Sequence, residues 1–312
     1  MLHWKMKKAA LVLITVLTLV STGCNSPFAG KVLPVREITD RNGVMYEIPK
    51  TVDRIVSLSP TLTQIILDLD MTDKLVGVDT NSRKFYDLAK EIPAFDMMAP
   101  DAEQLLALKP DLLLVSDMSL AGGADDPFAL LSKNGICVIA VTTPATLAQI
   151  EQDVAFVADL IGAKEGGEAL VAAMEAKLKE YRVLAEAVTV QKTVYLEVSA
   201  APYIYSCGSG VFINEIIELI GAKNVFRDQK GWFSVTPEAA VAADADVILT
   251  NIDYIEDPVA EIMSREGWQD MKAIQNGTVY RINANASAQA NHHVVDAVAE
   301  IYAAVYQNQK AD

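Results

Sequence analysis

From about residue 35 onward, short apolar runs alternate with longer segments whose apolar positions recur every three or four residues. The short runs fall at 54–59, 75–78, 112–116 and 137–141 in the first half, and at 193–198, 224–226, 247–250 and 279–282 in the second. Each ends in polar or turn residues. Continuous apolar runs of this length predict strands buried on both faces. Their alternation with helical patterns predicts an α/β fold of two Rossmann-like lobes with mostly parallel sheets.

The pattern is written twice. Residues 102–115 align without a gap on 237–250, and both read as a short helix, a Pro or acidic turn and a buried strand. Asn134-Gly135 precedes one strand as Asn276-Gly277 precedes another, and Ile65-Ile66 stands before Leu75 as Ile216-Ile217 stands before Asn224. Three matching blocks indicate a pseudo-repeat. Between the halves, Leu170, Met174, Leu178, Tyr181 and Leu184-Ala185 recur at helical spacing with Glu and Lys between them and no Pro. This predicts one long helix over 164–188 linking a first lobe at 35–163 to a second at 189–312. One helix is a stiff strut, where two or three extended connections would permit a wide hinge.

The start of the chain has a different character. Lys5, Lys7 and Lys8 precede an apolar stretch at 9–20, followed by Ser21-Thr22-Gly23-Cys24. A basic segment, a short apolar core and small residues make residues 1–23 a signal peptide. Twelve helical residues reach about 18 Å, short of the ~30 Å hydrocarbon core, so the stretch does not span a membrane. The Cys after small residues resembles a bacterial lipobox, with Ser21 where Leu is usual. Cys24 is then the lipidated first residue, and 24–34 is a tether to the folded body. The expected location is the outer side of the cell membrane.

Composition narrows the function. With 26 basic and 41 acidic residues, the net charge of −15 disfavours nucleic-acid binding, which needs clustered cations. Three Cys exclude a disulfide scaffold and an all-thiolate zinc site. Cys137 and Cys207 fall in different halves and are expected as free thiols. There is no G-x-S-x-G elbow, Walker lysine loop or G-x-G-x-x-G after a strand. Gly208-Ser209-Gly210 opens a helix near Val211. A hydrolase using Cys207, set with His292 and Asp296, or using Ser209 is one alternative; a zinc or manganese binder is another. No cofactor is expected. No metal site is expected either, because His292 and His293, as neighbours on a helix, would point about 100° apart.

Aromatic and polar residues cluster just after predicted strands, where ligands bind in parallel α/β sheets. In the first half these are Ser59, Pro60, Thr61, Phe95, Asp96, Met97, Met98, Ser116, Asp117 and Met118. In the second they are Tyr203, Tyr205, Trp232, Phe233, Asn251, Asp253, Tyr254, Asn291, His292 and His293. Two such rims facing each other would enclose a cleft. The group favours a large, partly flat, amphipathic ligand, and holds few cations.

The segments Arg54-Ile55-Val56-Ser57-Leu58-Ser59-Pro60-Thr61-Leu62-Thr63, Leu105-Leu106-Ala107-Leu108-Lys109-Pro110-Asp111-Leu112, Gly221-Ala222-Lys223-Asn224-Val225-Phe226 and Asn276-Gly277-Thr278-Val279-Tyr280 resemble one family. It is the substrate-binding lipoproteins of bacterial ABC importers for cobalamin, haem and ferric siderophores. The resemblance covers nearly all of 35–307. It implies a monomeric binding protein, not an enzyme, which hands a metal chelate to a permease dimer and its ATPase. It implies that Ser59, Pro60 and Thr61 form a cleft loop and that Trp232 is a cleft aromatic. It implies that Glu103 and Glu238 dock on permease arginines. Many members carry an Arg near the start of the last helix, where this chain has Ala290-Asn291-His292-His293.

Overall fold

The computed structural model describes residues 34–120 and 128–307. The expected signal peptide, most of the tether and Cys24 lie outside them. Strands β1 (Val35–Thr39) and β2 (Met45–Pro49) form an antiparallel hairpin. Then come β3 (Ile55–Leu58), β4 (Leu75–Asp79), β5 (Ala94–Phe95), β6 (Leu112–Ser116) and β7 (Cys137–Val141), a parallel sheet in the order β5-β4-β3-β6-β7. In the second half, β8 (Thr193–Glu197), β10 (Lys223–Asn224), β12 (Val247–Thr250) and β13 (Val279–Arg281) form a second parallel sheet in the order β10-β8-β12-β13. Between them in sequence, β9 (Tyr205–Cys207) and β11 (Trp232–Ser234) pair antiparallel. All eight expected strands are present. Trp232, expected just after a strand, instead opens β11 and faces Cys207 across the ladder.

The pseudo-repeat is real at the level of single hydrogen bonds. Residues offset by 135 positions share a left-handed backbone: Lys109 has φ 48° and Asp244 φ 42°. Two residues further on, Asp111 Oδ2 accepts from Asp53 and Arg54 N just before β3, and Asp246 Oδ2 accepts from Thr193 N at the start of β8. Helix Pro60–Asp68 ends with Asp70 N and Met71 N donating to Leu67 O and Ile66 O; helix Phe212–Leu219 ends with Gly221 N and Ala222 N donating to Glu218 O and Ile217 O. Gly135 and Gly277 repeat the pattern before β7 and β13, both at positive φ. These paired donations satisfy the carbonyls left open at helix ends. The two sheets also share their strand order, with β4-β3-β6-β7 matching β10-β8-β12-β13.

The chain passes from one sheet to the other through a helix of 23 residues, Lys164–Glu186, about 34 Å long. Met174 and Leu178 are buried, and Tyr181 packs edge-on against Tyr302 of the last helix, Val294–Tyr302. Its first turn lies tightly on helix Leu147–Leu160: a Cβ on Gly167 would sit 2.2 Å from that of Ala158. Only glycine permits that approach.

A buried ionic knot holds the second lobe. Glu197, the last residue of β8, has no solvent exposure. It accepts from Arg265 Nη1 and Nη2 at 2.7 and 2.6 Å and from the Tyr195 hydroxyl at 3.0 Å. Arg265 also binds Glu261 at 2.6 and 2.9 Å and lies 4.5 Å over the Trp268 ring. As expected, Cys137 and Cys207 are free thiols.

Candidate ligand-binding cleft

The carboxyl ends of β3, β6 and β7 in the first lobe and of β8, β12 and β13 in the second open on one cleft of about 1500 Å³. The first rim is Ser59-Pro60-Thr61, where β3 turns into helix Pro60–Asp68 with Pro at its first position. A buried hydroxyl chain supports this turn. Thr63 Oγ1 donates to Ser57 Oγ at 2.8 Å, and Ser82 Oγ reaches Thr63 Oγ1 at 3.0 Å. Ser82 also bonds Asp79, whose carboxylate caps helix Thr80–Phe85. Burial raises the Asp79 carboxyl above its ordinary value despite those bonds.

The predicted residues divide. Ser59, Pro60, Thr61, Met97, Ser116, Met118, Trp232, Asn251, Asp253 and Tyr254 all line the cleft. Tyr254 holds its loop by accepting from Ala200 N at 2.9 Å. Asp117 sits behind the wall, accepting from Thr143 Oγ1 at 2.8 Å, while Thr143 itself lines the cleft. Met98, Tyr203 and Tyr205 are solvent-exposed and outside the lining set. His292 is buried and also outside it, because its ring turns to Asp68 of the first lobe.

That contact corrects an expectation. His292 and His293 do converge, each placing Nε2 2.8 Å from Asp68 Oδ2. The two residues precede the last helix rather than lying on it, in a turn closed by Val294 N donating to Asn291 O. The 100° divergence of helical neighbours therefore does not apply. Burial disfavours the Asp68 carboxylate, but bonds from His292, His293 and Gln64 outweigh it and hold the carboxyl well below its usual range. The bond to Asp68 lifts His293 to about 9 against the pull of burial, with Asp296 adding to it.

Sequence reasoning missed Phe85, Arg281, Asn283, Asn285 and Gln289, which complete the wall. Four of the five follow or end β13, so the rule that pointed to Asn251 after β12 points equally to them. Arg281 is the one basic side chain among the described lining residues. Arg41, nearby, is spent on Asp153 at 2.8 Å and on Thr142 O at 2.6 Å. Burial pushes the Asp153 carboxyl up to about 6, with Arg41 working in the opposite direction.

The two lobes are stitched beside the cleft. The Tyr86 hydroxyl lies 3.0 Å from Pro60 O and 2.8 Å from Gln289 Oε1, and Leu147 N donates to Glu215 Oε2 at 2.8 Å. With the helix Lys164–Glu186, these bonds favour small adjustments of the cleft over wide closure.

Neither nucleophile named for the hydrolase alternative is set up for attack. Cys207 is buried in β9 and its thiol is pushed up to about 12 by burial. Ser209 Oγ donates to Gln229 O at 2.9 Å, and a Cβ on Gly208 would strike that same carbonyl. His292 and Asp296 face Asp68 and His293 instead.

A family model described as periplasmic binding protein matches residues 55–286, most of both lobes and the helix between them. The chain belongs to the periplasmic binding protein family. A relative in Bacillus subtilis, named an uncharacterized ABC transporter substrate-binding lipoprotein, YvrC, is 31% identical over 96% of each chain. The molybdate-binding protein MolA of Haemophilus influenzae is 27% identical over 81% of this chain and 79% of its own. The solved structure of the periplasmic heme-binding protein RhuT from Roseiflexus superposes with a TM-score of 0.72 at 24% identity, covering 82% of this chain and 98% of that one. That likeness concerns the fold, two α/β lobes about a cleft.

Proposed function

We propose that this chain is the extracytoplasmic, lipid-anchored substrate-binding protein of an ABC importer, and that its cleft takes one large, partly flat metal chelate: a corrinoid, a haem or a ferric siderophore. Residues 35–163 and 189–312 act as the two capturing lobes and 164–188 as the strut between them. The observation that carries the ligand class is the cleft itself. Sites for drug-sized molecules are about 300–1,000 Å³ and mostly apolar; this one is about 1500 Å³, with Pro60, Leu62, Ile65, Phe85, Met97, Met118, Trp232 and Tyr254 in its wall. A bare tetrahedral oxyanion such as molybdate wants a tight shell of N–H groups or cations. A single arginine in a cavity of this size does not provide one.

Trp232 tests the reading. It is about half exposed at the cleft wall, placed to stack on a flat ligand and exclude water from one side. Chelate titrations should quench its emission on contact. Trp232→Ala should remove that share of the quenching, leaving what energy transfer to the ligand takes from the buried Trp268, and weaken binding by about 1–3 kcal/mol. Unchanged affinity and unchanged quenching in the variant would place the ligand elsewhere.

Anchoring rests on the lipobox-like Cys24 and on the lipoprotein relative. One acyl chain holds only marginally, and two or more hold stably, at about 0.8 kcal/mol per buried CH₂. Cys24→Ala should move the processed protein from the membrane pellet to the soluble fraction. Processed protein that still pellets with the membrane would refute lipid anchoring.

A further inference from the structure

We propose that Asp68, His292 and His293 form a binding site for one divalent transition-metal ion of the zinc type, which ties the two lobes together beside the cleft. Among the described residues, this is the group in which three metal-ligating side chains bring their donor atoms within 4.8 Å of one another. Asp68 closes a first-lobe helix, and the two histidines open the last helix of the second lobe.

The donor set selects the ion. Two imidazole nitrogens and one carboxylate oxygen suit Zn²⁺, Co²⁺, Ni²⁺ or Cu²⁺; Ca²⁺ and Mg²⁺ want oxygen ligands, six or more. A tetrahedral zinc with bonds near 2.0–2.2 Å keeps its ligand atoms about 3.3 Å apart. Here both Nε2 atoms stand 2.8 Å from Asp68 Oδ2 and all three donor atoms lie within 4.8 Å of one another, so seating the ion moves each nitrogen about half an ångström away from the carboxylate oxygen and brings the two nitrogens to the same ~3.3 Å spacing.

The surroundings are those of a metal ligand set. Coordination through Nε2 leaves the proton of His293 on Nδ1, and Asp296 Oδ2 waits there at 3.1 Å. A carboxylate behind a ligating histidine fixes its tautomer and raises its basicity. Gln64 Nε2 steadies Asp68 by donating to Oδ2 at 2.8 Å. The buried Nδ1 of His292 has no protein partner, so this ring, unlike that of His293, is held through Nε2 alone. Asn291 Oδ1 accepts from His293 N at 2.9 Å and sets the turn that aims both rings.

A simple ion pair does not call for this arrangement. One imidazolium satisfies one carboxylate, yet two rings, 4.6 Å apart at their centroids, aim at the same oxygen. Two cations in contact repel, whereas one dication takes both nitrogens as neutral ligands. The site opens on a side pocket of about 570 Å³ lined by Gln64, His293 and Asp296, which leaves the fourth position to water. Phe85, Asn285 and Gln289 wall both this pocket and the cleft, so the ion would brace the cleft and not be its cargo.

The test uses the full chain in detergent, stripped of metal by a chelator. Zn²⁺ titrated against a chromophoric competitor should bind at one per chain, and Co²⁺ should give visible d–d bands of a low-coordinate N/O site. Asp68→Asn and His293→Gln should each weaken Zn²⁺ at least tenfold and abolish those bands. Asp296→Asn, a near-isosteric change at an exposed position, should weaken Zn²⁺ about tenfold through His293; it decides the question if the other variants fail to fold. No stoichiometric zinc, or zinc bound equally well by the folded variants, overturns the site.

Discussion

Arg265→Met should cost the protein about 3–5 kcal/mol, the scale of breaking a buried ion pair from one side. Arg265 is the counter-ion of Glu197, which has no exposure and would otherwise keep only the Tyr195 hydroxyl. Glu197 ends the central strand β8, directly before the cleft residue Val198. The cost is therefore a charge stranded in the core beneath the binding site, not the loss of a surface contact. The expected result is a large drop in the urea midpoint with little change in slope. Adding Glu197→Gln should recover much of the loss, because the stranded charge is then gone. A loss under about 1 kcal/mol would show that the pair is solvated in practice.

Glu103→Arg combined with Glu238→Arg should bind ligand normally and fail to support uptake. Each Glu is the second residue of its helix, Ala102–Ala107 or Pro237–Ala243, after the capping Asp101 or Thr236. Both are exposed and stand 135 positions apart, the offset that relates Lys109 to Asp244 and Asp111 to Asp246. A carboxylate at a helix start gains about 0.3–1 kcal/mol from the dipole, which explains either one alone. A matched exposed pair on two related lobes also suits a permease whose halves are twofold related, with one basic residue for each acid. With a basic permease residue opposite each acid, reversing both charges would turn attraction into repulsion at both lobes. Transport and stimulation of the transporter ATPase should fall to background while the cleft, lined by neither residue, keeps its affinity. Normal uptake by the folded double variant would leave only the helix-dipole role.

The sequence made the sheets legible because their strands are continuous apolar runs, as in β6, where Leu112 to Val115 are all fully buried. The β1–β2 hairpin was not legible: one residue in β1 and one in β2 is buried, so no run announces either strand. β9 and β11 have three residues each and depend on pairing across 25 to 29 positions of chain. The cleft was half legible. Loops after strands named Ser59, Met118, Trp232 and Asp253, but beyond β13 the pattern pointed to Asn291, His292 and His293, whereas the lining residues there include Asn283 and Gln289. The Asp68–His292–His293 contact could not be read at all. Asp68 looks like a solvated helix end, and it meets its partners 224 and 225 residues away only when the lobes are assembled.

The central claim is that the cleft holds a large metal chelate. Calorimetric titration of the purified protein with haem, cobinamide, cobalamin, a panel of ferric siderophores and molybdate tests it most directly. One chelate is expected to bind at one per chain with micromolar affinity or better, about −8 kcal/mol or more favourable, while molybdate gives no saturable heat. Saturable one-to-one binding of molybdate, with none of the chelates bound, would contradict the account.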